Sequence, residues 1–485
     1  MQIKKDTLIK IAVAVGCSLV VVAMIIFKVF EIFNINLVRE ESSHLFKHGL
    51  VQVKADGKYG YADKSGRIVI PFVFDDAYSF EQGLAAAQTD VKWGYIDKNG
   101  RTVIEPQFDS VMGFGGSGLA IAEENEKFGY INKKGKFVIA PQYEKAEAFD
   151  GNGFAQVTLD RKIGIIDKKG KYIAQPQYSS VGSFAENGLA AVEVGHKWGY
   201  INKKGRMAIK PQFDYAYNFD GNGLAPVKLG EKWGYINKSG NLIIAPQFGS
   251  VSNFYDNELA MVEIDGKIGF IDSSGEYATE PQYENSTGYA DNGLAGVMTG
   301  EKWGFIDKTG KFVINPLFDS ARGFSDGLAA VQLNGKWGFI NKKGDMVIEP
   351  IFDEAAYFID GIAVVTVDKK QGITDKKGNY VIEPVYDAIK AVYDDGIVFI
   401  KDGKVGAADR NGKTVIEPVY EAVSWTDMED ICSYDGCFNT VAYEGGSFCA
   451  EHMNLTELPY CKMPGCFNHV TYSWNDYCTA HKYMD

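Results

Sequence analysis

Histidine is scarce in this chain and cysteine is confined to one end. Among 485 residues there are six His and seven Cys, and of the cysteines only Cys17 precedes position 430. A disulfide or metal framework through the body of the chain is thereby excluded. Before the tail the only imidazoles are His44, His48 and His196, and none repeats with a nucleophile or a carboxylate. His44 and His48 read as part of a solvated stalk, and His196 as the variable residue before a lysine. Positive charge is also in deficit: 50 Lys and Arg against 63 Asp and Glu leave a formal net charge of −13. A nucleic acid would meet a repulsive long-range field. Apolar residues are plentiful at 46%, which excludes global disorder. Glycine is abundant, with 54 residues. Without a three-residue period that abundance points to one turn recurring many times.

From Ile11 to Phe27 the chain reads IAVAVGCSLVVVAMIIF, seventeen residues without a charge, between Lys10 and Lys28. With its apolar neighbours to Phe30 the stretch is long enough to cross a bilayer core of about 30 Å. Residues 11–30 are therefore expected to form a transmembrane helix after a flank at 1–10, followed by a juxtamembrane stalk at 31–48. A cleavable signal peptide would have a shorter apolar stretch and a small-residue cleavage site. A lipid-attachment reading at Cys17 lacks the polar tether that should follow the cysteine. Lys4, Lys5 and Lys10 give a mild inside bias to the N-terminus. The expectation is a single-pass membrane protein with the bulk of the chain extracytoplasmic.

The body of the chain repeats. KYGYADKSG from Lys58, KWGYIDKNG from Lys92, KFGYINKKG from Lys127 and KWGFIDKTG from Lys302 are four of eleven such segments, spaced by 34 or 35 residues. Ten of the eleven have a proline fourteen residues after the lysine, and the first has Pro71 one residue early. Each unit also carries a third apolar stretch, such as GLAAAQ after Gly83. The natural unit is a GL-strand, a WG-strand and a VIxP-strand, repeated over residues 49–425. Asp97-Lys98-Asn99-Gly100 and its counterparts fit a type I turn closing on a left-handed glycine with a bulge. Along the WG-strand Trp93 and Tyr95 should share one face and Gly94 and Ile96 the other. Gly94 should let a neighbouring backbone or ring approach closely, and the proline should mark where pairing stops. The apolar burial available to one unit falls well short of the entropy of ordering it. Units must therefore stack into one cooperative body.

On these residues the array resembles the WG β-repeat family, over more than three quarters of the chain. That resemblance implies a repeat protein, often attached to other modules, with no catalytic residues to transfer. Gln371 and Val405 replace the aromatic in the last two units, as capping repeats would. The fold class is all-β. Eleven units exceed the blades of an ordinary propeller and three strands fall short of its usual four. An open, curved solenoid or superhelix is therefore favoured, with propeller-like closure as the alternative.

An acidic linker at 426–431 leads to a different pattern. Cys432, Cys437, Cys449 and His452 are followed 29 residues later by Cys461, Cys466, Cys478 and His481, the spacing C-x4-C-x11-C-x2-H twice. Three thiolates and one imidazole complete a tetrahedral structural zinc site. Two zinc modules, 432–452 and 461–481, are expected, joined by a linker at 453–460. Disulfides would strand one thiol in each module, although an extracytoplasmic setting favours them. Pro464-Gly465-Cys466 and Tyr477-Cys478-Thr479-Ala480-His481 resemble the short Cys3His zinc motifs found as appendages on varied proteins. Between residues 427 and 485 nine Asp or Glu stand against two Lys, which argues for protein docking, through aromatics such as Phe438, Phe467 and Trp474, rather than nucleic-acid binding.

Two nucleotide motifs fail. The GxGxxG at Gly113–Gly118 occupies a loop that reads FDGNGLA in a sister unit, and Ala407 stands where a P-loop glycine should precede Gly412. The lysines and aspartates of the DKxG turns read as solvated, with a charged polymer as the sharper alternative. The functional expectation is a membrane-anchored, non-catalytic scaffold for a protein or cell-envelope polymer, with the zinc modules for docking. The alternatives are a glycan-binding or hydrolytic envelope enzyme and a passive spacer presenting the tail.

Overall fold

A computed structural model describes residues 44–254 and 258–424 and the strand Thr426–Asp427. The expected membrane segment and both zinc modules lie outside these residues. Among those described no helix is long and apolar enough to cross a membrane. Every named element is a strand.

The second unit shows the local logic. Its GL-strand, Leu84–Thr89, pairs with the WG-strand, Lys92–Asp97, which pairs in turn with the VIxP-strand, Thr102–Phe108. The turn after the WG-strand closes as its sequence demands: Gly100 N–H donates to the Asp97 carbonyl at 2.9 Å, and the Asp97 carboxylate accepts from the N–H groups of Asn99 and Arg101. The eleven turn glycines have φ between +71° and +91°, a region that costs glycine alone little. At Gly94 a β-carbon would lie 2.4 Å from the Ile104 carbonyl oxygen, so the close backbone approach is real. Pro106 behaves differently from expectation. The strand runs through it, and Phe108 beyond it still pairs with Trp93 across a register shift. The missing N–H falls inside a bulge on an edge strand, where no ladder bond is lost.

Three strands per unit become four per sheet. One residue after Phe74, the chain forms a two-residue strand, Asp76–Ala77, on the free edge of the next unit's GL-strand. Each unit thus supplies the fourth strand of its successor, giving ten such four-stranded sheets. We call the sheets blades, numbered by their GL-strands. Blade 1 takes its short strand from the far end of the chain: Ala422–Val423 pairs with Leu50–Ala55 through Val53↔Val423 and Lys54↔Ala422. Thr426–Asp427 then adds a fifth strand.

This pairing closes the array into an eleven-bladed propeller, the second of the two arrangements expected and not the open solenoid. The argument for an open form counted three strands where donation makes four. Eleven apolar clusters fill eleven blade junctions. Trp93 and Tyr95 pack toward blade 3 with Val111 and Phe114, while Ile96 packs toward blade 1 with Tyr61 and Ile70. The cluster that joins blades 11 and 1 contains Val405 and Ile416 with Val51, Val53 and Val423. The core therefore lies between units rather than within them, which is why one unit has too little of it to fold alone.

Candidate functional site

Most polar chemistry in the ring is architectural. In nine of the eleven units an acid stands seventeen residues after the lysine that opens the WG-strand, Ser179 and Gly249 being the exceptions. In seven the lysine reaches it, as Lys92 does Asp109 and Lys302 does Asp319 at 2.5 Å and Lys267 does Glu284 at 2.9 Å. The second oxygen of Asp109 accepts the Asn125 N–H at 2.9 Å in the next blade's hairpin. Hydrogen bonding from Lys92 holds the Asp109 carboxyl below its ordinary range. Ser65 does the same for Asp63, lowering it to about 2. Sequence reasoning missed the lysine–acid pair, although the aromatic-acid dipeptide after the proline in nine of the eleven units was its signal. The tyrosines of the WG-strand also bridge. Tyr95 donates to the Met112 carbonyl at 2.6 Å and its ring meets Phe114 at 4.9 Å. Burial pushes the Tyr95 hydroxyl far upward, so it stays a neutral donor.

Two sites break the monotony of the repeat. At the variable fourth residue after the Phe or Tyr that ends the VIxP-strand, blade 9 has Arg322 where blades 2 and 6 have Tyr78 and Tyr217. Arg322 is 6% exposed. Its guanidinium lies 4.8 Å from the Trp337 ring centre and 5.8 Å from that of Tyr357, with Glu354 at 3.7 Å. Burial pushes the Glu354 carboxyl upward while Arg322 opposes the push; half of that side chain stays exposed, so water limits the effect. The second break is aromatic. Tyr217 stacks on Trp233 at 5.0 Å and 12°, and Tyr215 meets Trp198 at 4.8 Å and Trp233 at 5.7 Å. Tyr215, Tyr217 and Trp233 are half-buried, so they form a surface patch on blade 6, backed by the buried Trp198 of blade 5.

The two faces of the ring carry different loops. One face carries the DKxG turns. In blades 3 to 5 these expose Lys133, Lys134 and Lys136, then Lys168, Lys169 and Lys171, then Lys203, Lys204 and Arg206. The opposite face carries the hairpins between GL- and WG-strands, with exposed acids such as Asp56, Asp90, Glu124 and Asp265. Between Lys127 and Phe213, fifteen Lys or Arg stand against seven Asp or Glu, a net of +8 in a chain of net −13. The first lysine of a turn has local work: Lys133 donates to the Gln82 carbonyl, Lys203 to the Asn152 amide oxygen at 2.6 Å, and Lys376 to Asp326 at 2.5 Å. Lys134, Lys169 and Lys204, one residue later, make no side-chain hydrogen bond or ion pair among the described residues. The eight expected zinc ligands, Cys432 to His481, lie outside the described residues. Among the described residues no group of His, Cys, Asp and Glu could hold a metal.

Solved structures resemble the chain at low identity. They include a eukaryotic initiation factor (13% identity, TM-score 0.36, covering 68% of this chain and 94% of that one). Hsv2 of Kluyvelomyces marxianus follows at 12% and 0.27, covering 48% and 91%. The extracellular domain of a putative hybrid two component system from B. thetaiotaomicron follows at 11% and 0.21, covering 75% and 64%. These scores carry no argument about activity. No curated protein matches. The repeat itself is decisive: the WG containing repeat matches eleven consecutive segments, from 59–93 and 93–128 through to 372–404 and 406–426. With the turn and the bulge recurring on all eleven of those segments, the chain belongs to the WG containing repeat family.

Proposed function

We propose that this protein is a membrane-tethered, non-catalytic scaffold in which the ring stands between an N-terminal anchor and a C-terminal pair of zinc modules. One observation carries the reading: the chain joins the ring on one face and heads away on the other. Leu50, the first residue of the first strand, pairs with Asp63 of a DKxG turn. Thr426–Asp427 runs back along Ala422–Val423, so Asp427 sits level with Ala422 and Lys54, toward the opposite face. An anchor at residues 11–30 would then lie on the face of the DKxG turns, and Cys432 to His481 would project from that of the hairpins. The aromatic patch of Tyr215, Tyr217 and Trp233 is the surface best suited to a protein or envelope ligand, since half-exposed aromatics supply contact area at low entropic cost. The non-enzymatic reading draws support from the titratable groups: the shifted tyrosines and aspartates described above are engaged in closing turns, as Asp63 is, or in joining strands, as Tyr95 and Asp109 are.

The experiment is protease digestion of intact cells combined with metal analysis of the purified chain. Cleavage of the tail from outside, with two zinc ions and eight protected ligands, is the expected result. A tail cleaved only after lysis reverses the sidedness, and a metal-free chain with oxidised cysteines replaces zinc with disulfides.

A further inference from the structure

The lysines of the DKxG turns have more charge than their local contacts use. In every blade the turn begins with an Asp or Asn whose side chain is engaged by the backbone, as Asn132 and Asn202 are by the N–H groups of Lys134 and Lys204 at 2.9 Å. The turn's first lysine reaches the loop of the preceding blade. Ring assembly is then satisfied, and the second lysine and the residue after the glycine are left over. Lys134 and Lys136, Lys169 and Lys171, and Lys204 and Arg206 are all exposed. They belong to three consecutive blades, where the edge strands carry Ala140, Gln175 and Lys210 in place of the Glu found at 349, 383 and 417. The local field is therefore positive although the chain is not.

We infer that this arc of blades 3 to 5 rests on an anionic lipid surface and fixes the tilt of the ring over the membrane. Three features favour lipid headgroups over a soluble polyanion. Thirteen residues separate Phe30 from His44, where the ring begins, so the tether keeps this edge of the ring within about 50 Å of the bilayer. The first strand starts on the lysine-bearing face, beside Asp63. Over this arc the opposite hairpins balance Glu124, Glu126 and Asp160 against Lys127, Arg161, Lys162 and Lys197, whereas the turns gather nine Lys or Arg against Asp167, which selects one orientation. Clusters of basic residues near a membrane gain from its negative potential within about 10 Å, and salt removes the gain. The inference takes the position of the surface from the tether proposed above, and the contact itself from the lysines.

The test uses the full chain with vesicles of phosphatidylcholine alone or with about one third phosphatidylglycerol. Flotation with the neutral vesicles reports the tether. Lysine acylation followed by mass spectrometry reports the arc. Acylation of Lys134, Lys169 and Lys204 should slow by about fivefold on anionic vesicles at low salt and recover in high salt. Lys369, exposed on the opposite face, should be unaffected. The K134Q/K169Q/K204Q variant should melt like the parent while lysine 171 loses its protection, and K134R/K169R/K204R should retain it. Equal acylation on both vesicles overturns the inference, as does protection by soluble polyphosphate without protection by vesicles. If the chain fails to float with neutral vesicles the tether is wrong. Flotation with anionic vesicles, lost in the glutamine variant, would still support the arc, and no flotation with either overturns it.

Discussion

The junction between blades 11 and 1 and the ten junctions between consecutive blades are built alike, yet only the first lacks a covalent loop into its GL-strand. Elsewhere the donated strand continues through a loop into its new sheet, as Asp76–Ala77 does into Leu84–Thr89. At the closing junction Ala422–Val423 is held by pairing, packing and side-chain contacts. Those contacts copy the internal ones. Glu421 accepts the Gly57 N–H at 3.2 Å, as Asp75 accepts that of Asp90 at 3.0 Å. Lys64 meets Asp395 at 3.1 Å, as Lys376 meets Asp326. Leu45 adds a bond that internal junctions have no need of, its N–H donating to Asp395 at 2.7 Å. The closed ring is therefore an eleventh copy of a contact that already works, reinforced by Leu45 and by the added strand Thr426–Asp427.

The strongest way to break the equivalence is to end the chain after Tyr420 and compare it with one ending after Asp427. Loss of the donated strand removes the buried Ala422 and Val423 and their ladder bonds, about 3–5 kcal/mol at one junction. Small-angle scattering should show an opened, larger particle; an unchanged radius would mean that the apolar cluster alone closes the ring. Next in size, Gly94→Val inside blade 2 and Gly60→Val in blade 1 place a β-carbon 2.4 and 2.6 Å from the Ile104 and Ile70 carbonyl oxygens. Each should cost about 3 kcal/mol, and a large inequality in chemical denaturation would show that the blades differ.

Smaller effects sharpen the comparison. Tyr95→Phe leaves the Met112 carbonyl without its donor and should cost about 1 kcal/mol, read from the denaturation midpoint at constant slope. Lys376→Ala and Lys64→Ala break an internal and a closing ion pair, each exposed and worth below about 1 kcal/mol; thermal melts should show equal losses. Acid should act on the internal pairs. Asp109, Asp319 and Asp353 are held below their ordinary range chiefly by hydrogen bonds from Lys92, Lys302 and Lys336. A depressed folded value contributes stability above the unfolded value of about 4 and loses it as pH falls through the folded one. Asp353→Asn should flatten the melting profile over that window slightly, because the groups are solvent-screened.

Much of this architecture was legible in the chain. The unit, its three long strands, the left-handed turn glycine and the close approach at Gly94 follow from local chemistry that needs no partner. The closed ring was visible only as an alternative. The strand that decides it is two residues long, too short to show a period, and lies one residue beyond a strand of the previous unit. Asp109 was hidden for a related reason: its lysine is seventeen residues away, and turn acids are usually solvated. The proline was misread because loss of an N–H was equated with the end of a strand, whereas an edge bulge tolerates it. Arg322 was invisible because burial of a guanidinium depends on Trp337 in strand Lys336–Ile340 and on Tyr357 in a loop of the next blade. For the zinc ligands the spacing remains the whole argument.

Strand donation also makes the position of the chain ends arbitrary. Any of the ten loops that lead from a short strand into a GL-strand could be cut, and the present ends joined by a linker, without removing a single blade contact. Such circular permutants should assemble the same ring. They would move an attached anchor or appendage around the rim one blade at a time, so the placement of cargo on this wheel is independent of how the wheel is held together.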